Sequence, residues 1–446
     1  MKQQHLKVPS HWKVLALARI CLSKCDGPFG SSIKSENYVA AGVRVIRLQN
    51  IGAGEFRDAD AAYLDEDYVR TRIGDGHWVE PNDVLMAGLG DENNPLGRTC
   101  VAPPGLGRAI VKADCYRLRL DNTRAEPAFV SLQLASTSVA ECGAMATGST
   151  RQRLNLGLAT ARVVALPPTL EEQRAIVAWS EREAARIGAL IEKKTRFIEL
   201  LREKRQAQIT NWVTRGLDAH ASLQHTKHSY LQAIPSHWTV KRLKYLSDGL
   251  TVGIVVNPSE YVADEGLPFI YGGDISEDGL DLVGCRRIAV EQSNANAKTR
   301  LRAGDLVTVR VGEPGVTAVV PPEGEGGNCA SVMLIRKGEF DSDWLCFVMN
   351  SRIVRHQVEV VQYGAAQEQF NIGHAVDFFL PLPPIHEQRQ IANMSKAYVA
   401  RVGALCRQTQ RSIDLLRERR SALITAAVTG QIDVRAEHPA EDLEPA

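Results

Sequence analysis

The sequence predicts an α+β chain written twice. Two similar globular units, rich in strands and loops with a few helices, alternate with two long antiparallel paired α-helices. Three observations carry this prediction. The landmark Leu166-Pro167-Pro168…Glu172-Gln173-Arg174 recurs as Leu382-Pro383-Pro384…Glu387-Gln388-Arg389. The second Glu stands 215 residues after the first (387 minus 172), close to half of the 446-residue chain, which excludes a solenoid repeat. Each landmark opens a long run with apolar residues at spacings of three and four.

The first element of each copy is Pro-Ser-His-Trp, at 9–12 and again at 235–238. Next come Val43–Ile51 and Leu267–Ile275, β-branched and aromatic runs that read as strand and turn. Asn82-Asp83-Val84-Leu85 answers Gly304-Asp305-Leu306-Val307, and Gly97-Arg98-Thr99 answers Gly315-Val316-Thr317. Helical stretches are expected near 125–136 and 342–359. Gly148…Asn155 and Gly364…Asn371 close each unit. The landmarks keep their order while the text between them diverges. Each unit is therefore the same fold carrying different loops.

At the helix entrance the prolines hold the preceding residues extended. Thr169 with Glu172 forms a capping box in the first copy. The first helical run carries Ile187, Ile191, Ile198 and Leu201 on one face; the second carries Val402, Cys406, Ile413 and Leu416. Lys194 and Arg205 interrupt the first stripe where Thr409 and Arg420 interrupt the second. Two stripes of one period suit each other as partners in coiled-coil fashion. About forty helical residues would span ~60 Å. Gly216 and Gly430 suit helix ends. The resulting organisation is 1–165 globular unit one, 166–218 long helix one, 219–233 linker, 234–380 globular unit two, 381–433 long helix two and 434–446 acidic tail.

Composition sets the frame. Hydrophobic residues at 44% and charged residues at 24% are globular values, and the net charge of +1 gives no polycation. Nine cysteines without a Cys-x-x-Cys pair read as reduced thiols, with no metal site. The N-terminus has no signal-like apolar region and no run approaches membrane-spanning length, which points to the cytoplasm. Catalytic text is missing: no phosphate-binding G-x-x-x-x-G-K-[ST], no G-x-G-x-x-G, no Asn-Pro-Pro-Phe or Asp-Pro-Pro-Tyr tetrad of an amino-methyltransferase. The chain reads as a binder and organiser, not an enzyme.

With these landmarks in hand, the chain resembles the specificity subunits of type I restriction-modification systems, from about residue 8 to 433. The carrying features are the twofold Leu-Pro-Pro…Glu-Gln-Arg entrance, the twin Leu-Leu-Arg-Glu runs at 200–203 and 415–418, the Thr-Arg-Gly and Thr-Gly helix ends and the repeated Pro-Ser-His-Trp. The resemblance makes the globular units target recognition domains and the helices spacers. It implies double-stranded DNA as the ligand, bound as a bipartite asymmetric target with one half per recognition domain. It also implies two methyltransferase subunits and two restriction (translocase) subunits as partners. S-adenosylmethionine, ATP and Mg belong to those partners, with no cofactor in this chain.

Base edges are read by Arg, Lys, Asn and Gln. The candidates in the first unit are Gln49, Asn50, Arg70, Arg72, Arg98, Arg151 and Arg153. Those in the second are Arg286, Arg287, Lys298, Arg300, Arg310, Gln367 and Gln369. Glu172, Gln173, Arg174, Glu387, Gln388 and Arg389 are candidates for docking partner subunits, with capping and packing as the competing reading. Asn155, Asn371, Trp12 and Trp238 read as structural. The alternatives are a self-contained restriction enzyme or nuclease and a coiled-coil scaffold that binds no DNA.

Overall fold

The computed structural model describes residues 8–28, 33–91, 93–145, 152–362 and 371–434. The chain divides into two compact units that do not follow sequence order. Unit 1 is Met1–Lys193 with Arg411–Ala446, and unit 2 is Lys194–Gln410.

Unit 1 is built on a four-stranded sheet. Its strands are β1 (Cys21–Asp26), β2 (Val84–Ala87), β3 (Thr99–Val101) and β4 (Cys115–Leu120), in the order β1-β4-β2-β3. Helix α1 (Pro127–Met145) packs on it through Phe129, Val130 and Leu134. A second sheet holds Val43–Ile46 parallel to Ala109–Val111. The strand after the first His-Trp, Lys13–Ala16, pairs antiparallel with Val163–Leu166 and so leads into the helix entrance. There α2 begins, running from Leu170 to Arg215. Thr169 Oγ1 accepts from the Glu172 amide at 3.2 Å, as expected of its cap.

Unit 2 repeats this plan. Its sheet is β5 (Leu250–Val252), β6 (Leu306–Thr308), β7 (Thr317–Val319) and β8 (Met333–Ile335), in the order β5-β8-β6-β7. Helices α3 (Ser342–Met349) and α4 (Arg352–Gln362) cover it. Leu267–Ile270 lies parallel to Asn328–Cys329, and Thr239–Arg242 pairs with Phe379–Leu382 ahead of α5 (Ile385–Val428). The 219–233 stretch, expected as a linker, is ordered instead. Leu223–His228 and Leu231–Pro235 form an antiparallel hairpin, and Leu231 and Ile234 enter the core of unit 2. The apolar residues at 231 and 234, in the second strand of the hairpin, make that burial possible. The tail from 435 onward lies outside the described residues.

Both long helices begin in one unit and end in the other. In unit 1 the start of α2 (Ile176, Val177, Trp179) shares a core with the end of α5 (Ala427, Val428). In unit 2 the end of α2 (Ile209, Val213) shares a core with the start of α5 (Ile391, Ala392), and Trp212 meets Tyr398 edge to face at 5.3 Å. The expected antiparallel pairing is thus present inside each unit. The stripe residues Ile187, Ile198, Val402 and Ile413 are buried, as is Thr409, whose hydroxyl returns its proton to the Leu405 carbonyl. Arg205, the other kind of interruption, is held by Glu277 and Asp278.

The Pro-Ser-His-Trp repeat is explained by the same exchange. Trp12 and Pro9 lie against Gly430 at the end of α5, and Trp238 and Pro235 lie against Gly216 at the end of α2. Both glycines hold positive φ, 72° and 75°. Each copy's tryptophan therefore receives the helix end of the other copy.

Candidate nucleic-acid interface

The two sheets present corresponding edges. In unit 1 β1 and β2 flank β4 and end near the same level on it: Asp26, the last residue of β1, and Met86, one before the last of β2, both pair with Tyr116. In unit 2 the ends of β5 and β6 flank one residue of β8: Val252 and Thr308 both pair with Met333. The loops leaving these paired ends start about 10 Å apart, two strand spacings. Of the sequence-derived candidates, Arg98 and Arg310 lie on the loops that leave β2 and β6, and Arg153 lies on a short strand that pairs with the first of these loops.

In unit 1, Gln49 is exposed and donates to Asp60. Arg70 and Arg72 project from the helical turn Val69–Ile73, with Arg70 paired to Asp67 at 2.7 Å. Arg153 sits on Gln152–Arg153, which pairs with Leu89–Gly90, and forms an ion pair with Asp114 at 2.8 Å. Exposed pairs of this kind are worth ~0–1 kcal/mol, so a phosphate can displace the carboxylate cheaply. Arg151 lies outside the described residues.

Asn50 and Arg98 are removed from the candidates. Asn50 is 0% exposed; its Oδ1 accepts from the Arg47 amide and its Nδ2 donates to the carbonyls of Arg57 and Ala59. Arg98 is 4% exposed, and its guanidinium donates to the carbonyls of Ile51, Leu89, Pro95 and Leu48. Burial lowers its pKa from the usual arginine value. A side chain with its donors spent on backbone oxygens has none for a base edge. The repeat itself held the signal. The counterpart of Arg98 is the buried Val316, and the counterpart of Asn50 is Asp274, which caps Tyr271 as Asn50 caps Arg47.

In unit 2, Arg286 lies over the Tyr271 ring at 4.3 Å, and Arg287 donates to the Leu282 carbonyl. Lys298 and Arg300 are exposed. Their carbonyls accept from Arg336, which also binds Asp305, so Arg336 fixes the loop that presents them. Sequence reading missed Arg336, which follows a buried strand with no motif around it. Arg310 donates to Asn371 at 3.0 Å. Gln367 and Gln369 lie outside the described residues.

The Glu-Gln-Arg clusters divide by residue. Gln173 is buried and bridges the Pro167 and Arg124 carbonyls and the Glu126 amide; Gln388 does the same for the Pro383 carbonyl and the Asp341 amide. Glu387 receives Trp238 Nε1 at 3.0 Å, with His237 Nε2 at 2.7 Å, while Glu172 faces His11 at 3.6 Å. These four residues close the corner between globule and helix and are corrected from docking to structural roles. Arg174 and Arg389 point outward. Arg174 pairs with Glu126 at 2.8 Å, and Arg389 lines a cleft of about 1410 Å³ in unit 2 beside Arg202, Lys396 and Arg407.

Among the described residues no helix is long and apolar enough to cross a membrane. No family model matches the sequence. A curated relative, the EcoBI type I restriction enzyme specificity subunit of Escherichia coli, is 23% identical over 418 residues, covering 89% of this chain and 82% of that protein. A chain from a structure of the complex assembly and conformational transition of the type I R-M system matches 96% of this chain and 100% of its own length, with 19% identity and a TM-score of 0.68. The HsdS subunit of Thermoanaerobacter tengcongensis matches 97% of this chain and all of its own, with 19% identity and a TM-score of 0.52. The chain is thus similar, in sequence and in fold, to the specificity subunits of type I restriction-modification systems.

Proposed function

We propose that this chain is the non-catalytic DNA-recognition subunit of a type I restriction-modification complex. Unit 1 reads one half of a bipartite asymmetric target and unit 2 reads the other. The observation that carries this reading is one sheet edge built twice with different loops. Identical frames with different tips are what an asymmetric pair of half-sites requires. Exposed Gln49, Arg70, Arg72 and Arg153 in unit 1, and exposed Arg286, Lys298 and Arg300 with half-buried Arg310 in unit 2, supply donors for base edges and phosphates. Arg174 in unit 1 and Arg389 in unit 2 are the proposed contacts for two methyltransferase subunits, which recruit two restriction subunits. S-adenosylmethionine, ATP and Mg act in those partners.

The test is modified-base mapping in cells carrying this chain and its methyltransferase partner. The expected outcome is a two-part motif with adenine methylated on both strands. Exchanging residues 20–160 for another reader, which spares both tryptophan–glycine contacts, should change one half only. A change in both halves at once would sink the assignment. Because α2 and α5 both run from unit to unit, the spacer is probed by removing about two turns from each together. That change should alter the gap and leave the half-site sequences intact.

A further inference from the structure

Unit 2 carries an apolar tip that donor-based recognition leaves unused. Val255, Val256 and Val311 are 57%, 73% and 58% exposed. Their placement follows from the sheet. Val252 and Thr308 are the aligned ends of β5 and β6, both paired with Met333. Val255 and Val311 each stand three residues beyond that aligned pair. The two loops therefore leave the sheet side by side, and each raises a valine at the same step.

Their surroundings are built. Ile254 bridges Ala330, whose amide donates to the Ile270 carbonyl, so the first loop stays beside the strand that leads to Tyr271. Asn257 takes a left-handed conformation (φ 43°) and turns the chain into Pro258–Tyr261, which ends the valine pair abruptly. A Cβ on Gly272 would lie 3.6 Å from Val309, so Tyr271 and the Arg286 stacked on it are neighbours of the second loop. Arg310, tied to Asn371, stands directly before Val311. The tip is thus three branched methyl-bearing side chains near guanidinium groups.

In the major groove the apolar feature of a base pair is the C5-methyl group of thymine, while guanidinium groups suit guanine edges and phosphates. Resting on the proposed DNA-reading role, we infer that Val255, Val256 and Val311 read thymine methyl groups in the half-site bound by unit 2. Three solvent-exposed valines on one edge cost apolar hydration in the free chain. Burial against methyl groups recovers that cost only on the right sequence.

The experiment uses the full chain with its methyltransferase partner and the duplex found by mapping. Each thymine of the unit 2 half-site is replaced by deoxyuridine, which lacks only the methyl group. Equilibrium binding should weaken about four-fold for each methyl group contacted, the worth of one buried methyl-sized group. The same replacement in the unit 1 half should leave binding unchanged. A chain carrying V255S, V256S and V311S should bind the thymine duplex only as tightly as the native chain binds the deoxyuridine duplex, with its salt slope and thermal midpoint unchanged and the thymine-over-deoxyuridine preference lost. Equal binding of the two duplexes, or a unit 2 half-site with no T·A pair, would overturn the inference while leaving the DNA-reading role in place. So would a triple variant that keeps the preference but no longer assembles with its partner, since the valines would then be a protein contact. Failure of the native complex to bind its mapped duplex at all would instead remove the DNA-reading role.

Discussion

The second and first units share a sheet but finish its edge in opposite ways. In unit 2 the loop after β6 ends on exposed Val311 beside Arg310. In unit 1 the loop after β2 is pinned: Leu89–Gly90 pairs with Gln152–Arg153, and Asp91 binds the amides of Asn93 and Asn94. One unit presents methyl groups and guanidinium groups; the other presents amides and a carboxylate-paired arginine. The frame is retained because it seats the helices, and on the proposed function the tips differ because each reads a different half-site. Loops held on a fixed scaffold are where recognition can vary without touching the core.

A comparison at the helix ends is sharper and has the largest expected effect. Gly430 and Gly216 both need positive φ, so alanine at either costs ~1–2 kcal/mol. At Gly216 the added methyl would press on the Trp238 ring at 3.3 Å, a contact relieved by a shift of a few tenths of an ångström. At Gly430 it would collide with the Pro9 ring and press on Trp12. Overpacking adds ~1–3 kcal/mol there. G430A should therefore destabilise unit 1 more than G216A destabilises unit 2, read by amide exchange at 8–16 and 424–434 against 210–217 and 234–240. Equal losses would mean that Pro9 yields freely and the contact is not tight.

The entrance carboxylates come next. Glu387 satisfies the buried indole of Trp238, whereas Trp12 Nε1 has no partner among the described residues. E387A should cost ~1–3 kcal/mol by leaving a buried N–H unpaired. E172A should cost less, because the Trp12 indole, unlike that of Trp238, takes no hydrogen bond at this corner. A denaturant titration that ranks E172A as the more damaging would show that the two corners are wired alike after all.

These corners also show what the sequence could and could not display. The twofold plan was legible because Leu-Pro-Pro, Glu-Gln-Arg and Pro-Ser-His-Trp have fixed geometric duties that keep their text alike. The helical stripes announced a pairing. The exchange of helix ends was not legible, because both copies offer the same apolar stripe and the same tryptophan. A repeat cannot say which copy's helix a tryptophan receives. Gln173 and Gln388 looked like surface polar residues, since a glutamine near a helix start carries no mark of burial. Their amides are spent on the strand-to-helix corner, a demand set by tertiary packing. The candidate tips were legible only as classes. Arg98 and Arg153 share a residue type and Gly-containing neighbourhoods, yet one crosses under a loop to reach four carbonyls and the other faces solvent.

Arg153 gives the smallest effect and the cleanest separation of frame from tip. Its pair with Asp114 is exposed, so R153A should change stability by ~0–1 kcal/mol. Its position on the strand that pins the unit 1 loop nevertheless places its charge at the proposed DNA edge. If it meets a phosphate, R153A weakens binding about equally on all sequences and lowers the salt slope by ~1. If it meets a guanine edge, the loss is confined to duplexes that keep that base pair, and the slope is preserved. Measured at several salt concentrations on matched and mismatched duplexes, the variant assigns Arg153 to positioning or to readout. Binding identical to the native chain in every arm would leave Arg153 outside the interface and move the unit 1 contact surface toward Gln49, Arg70 and Arg72.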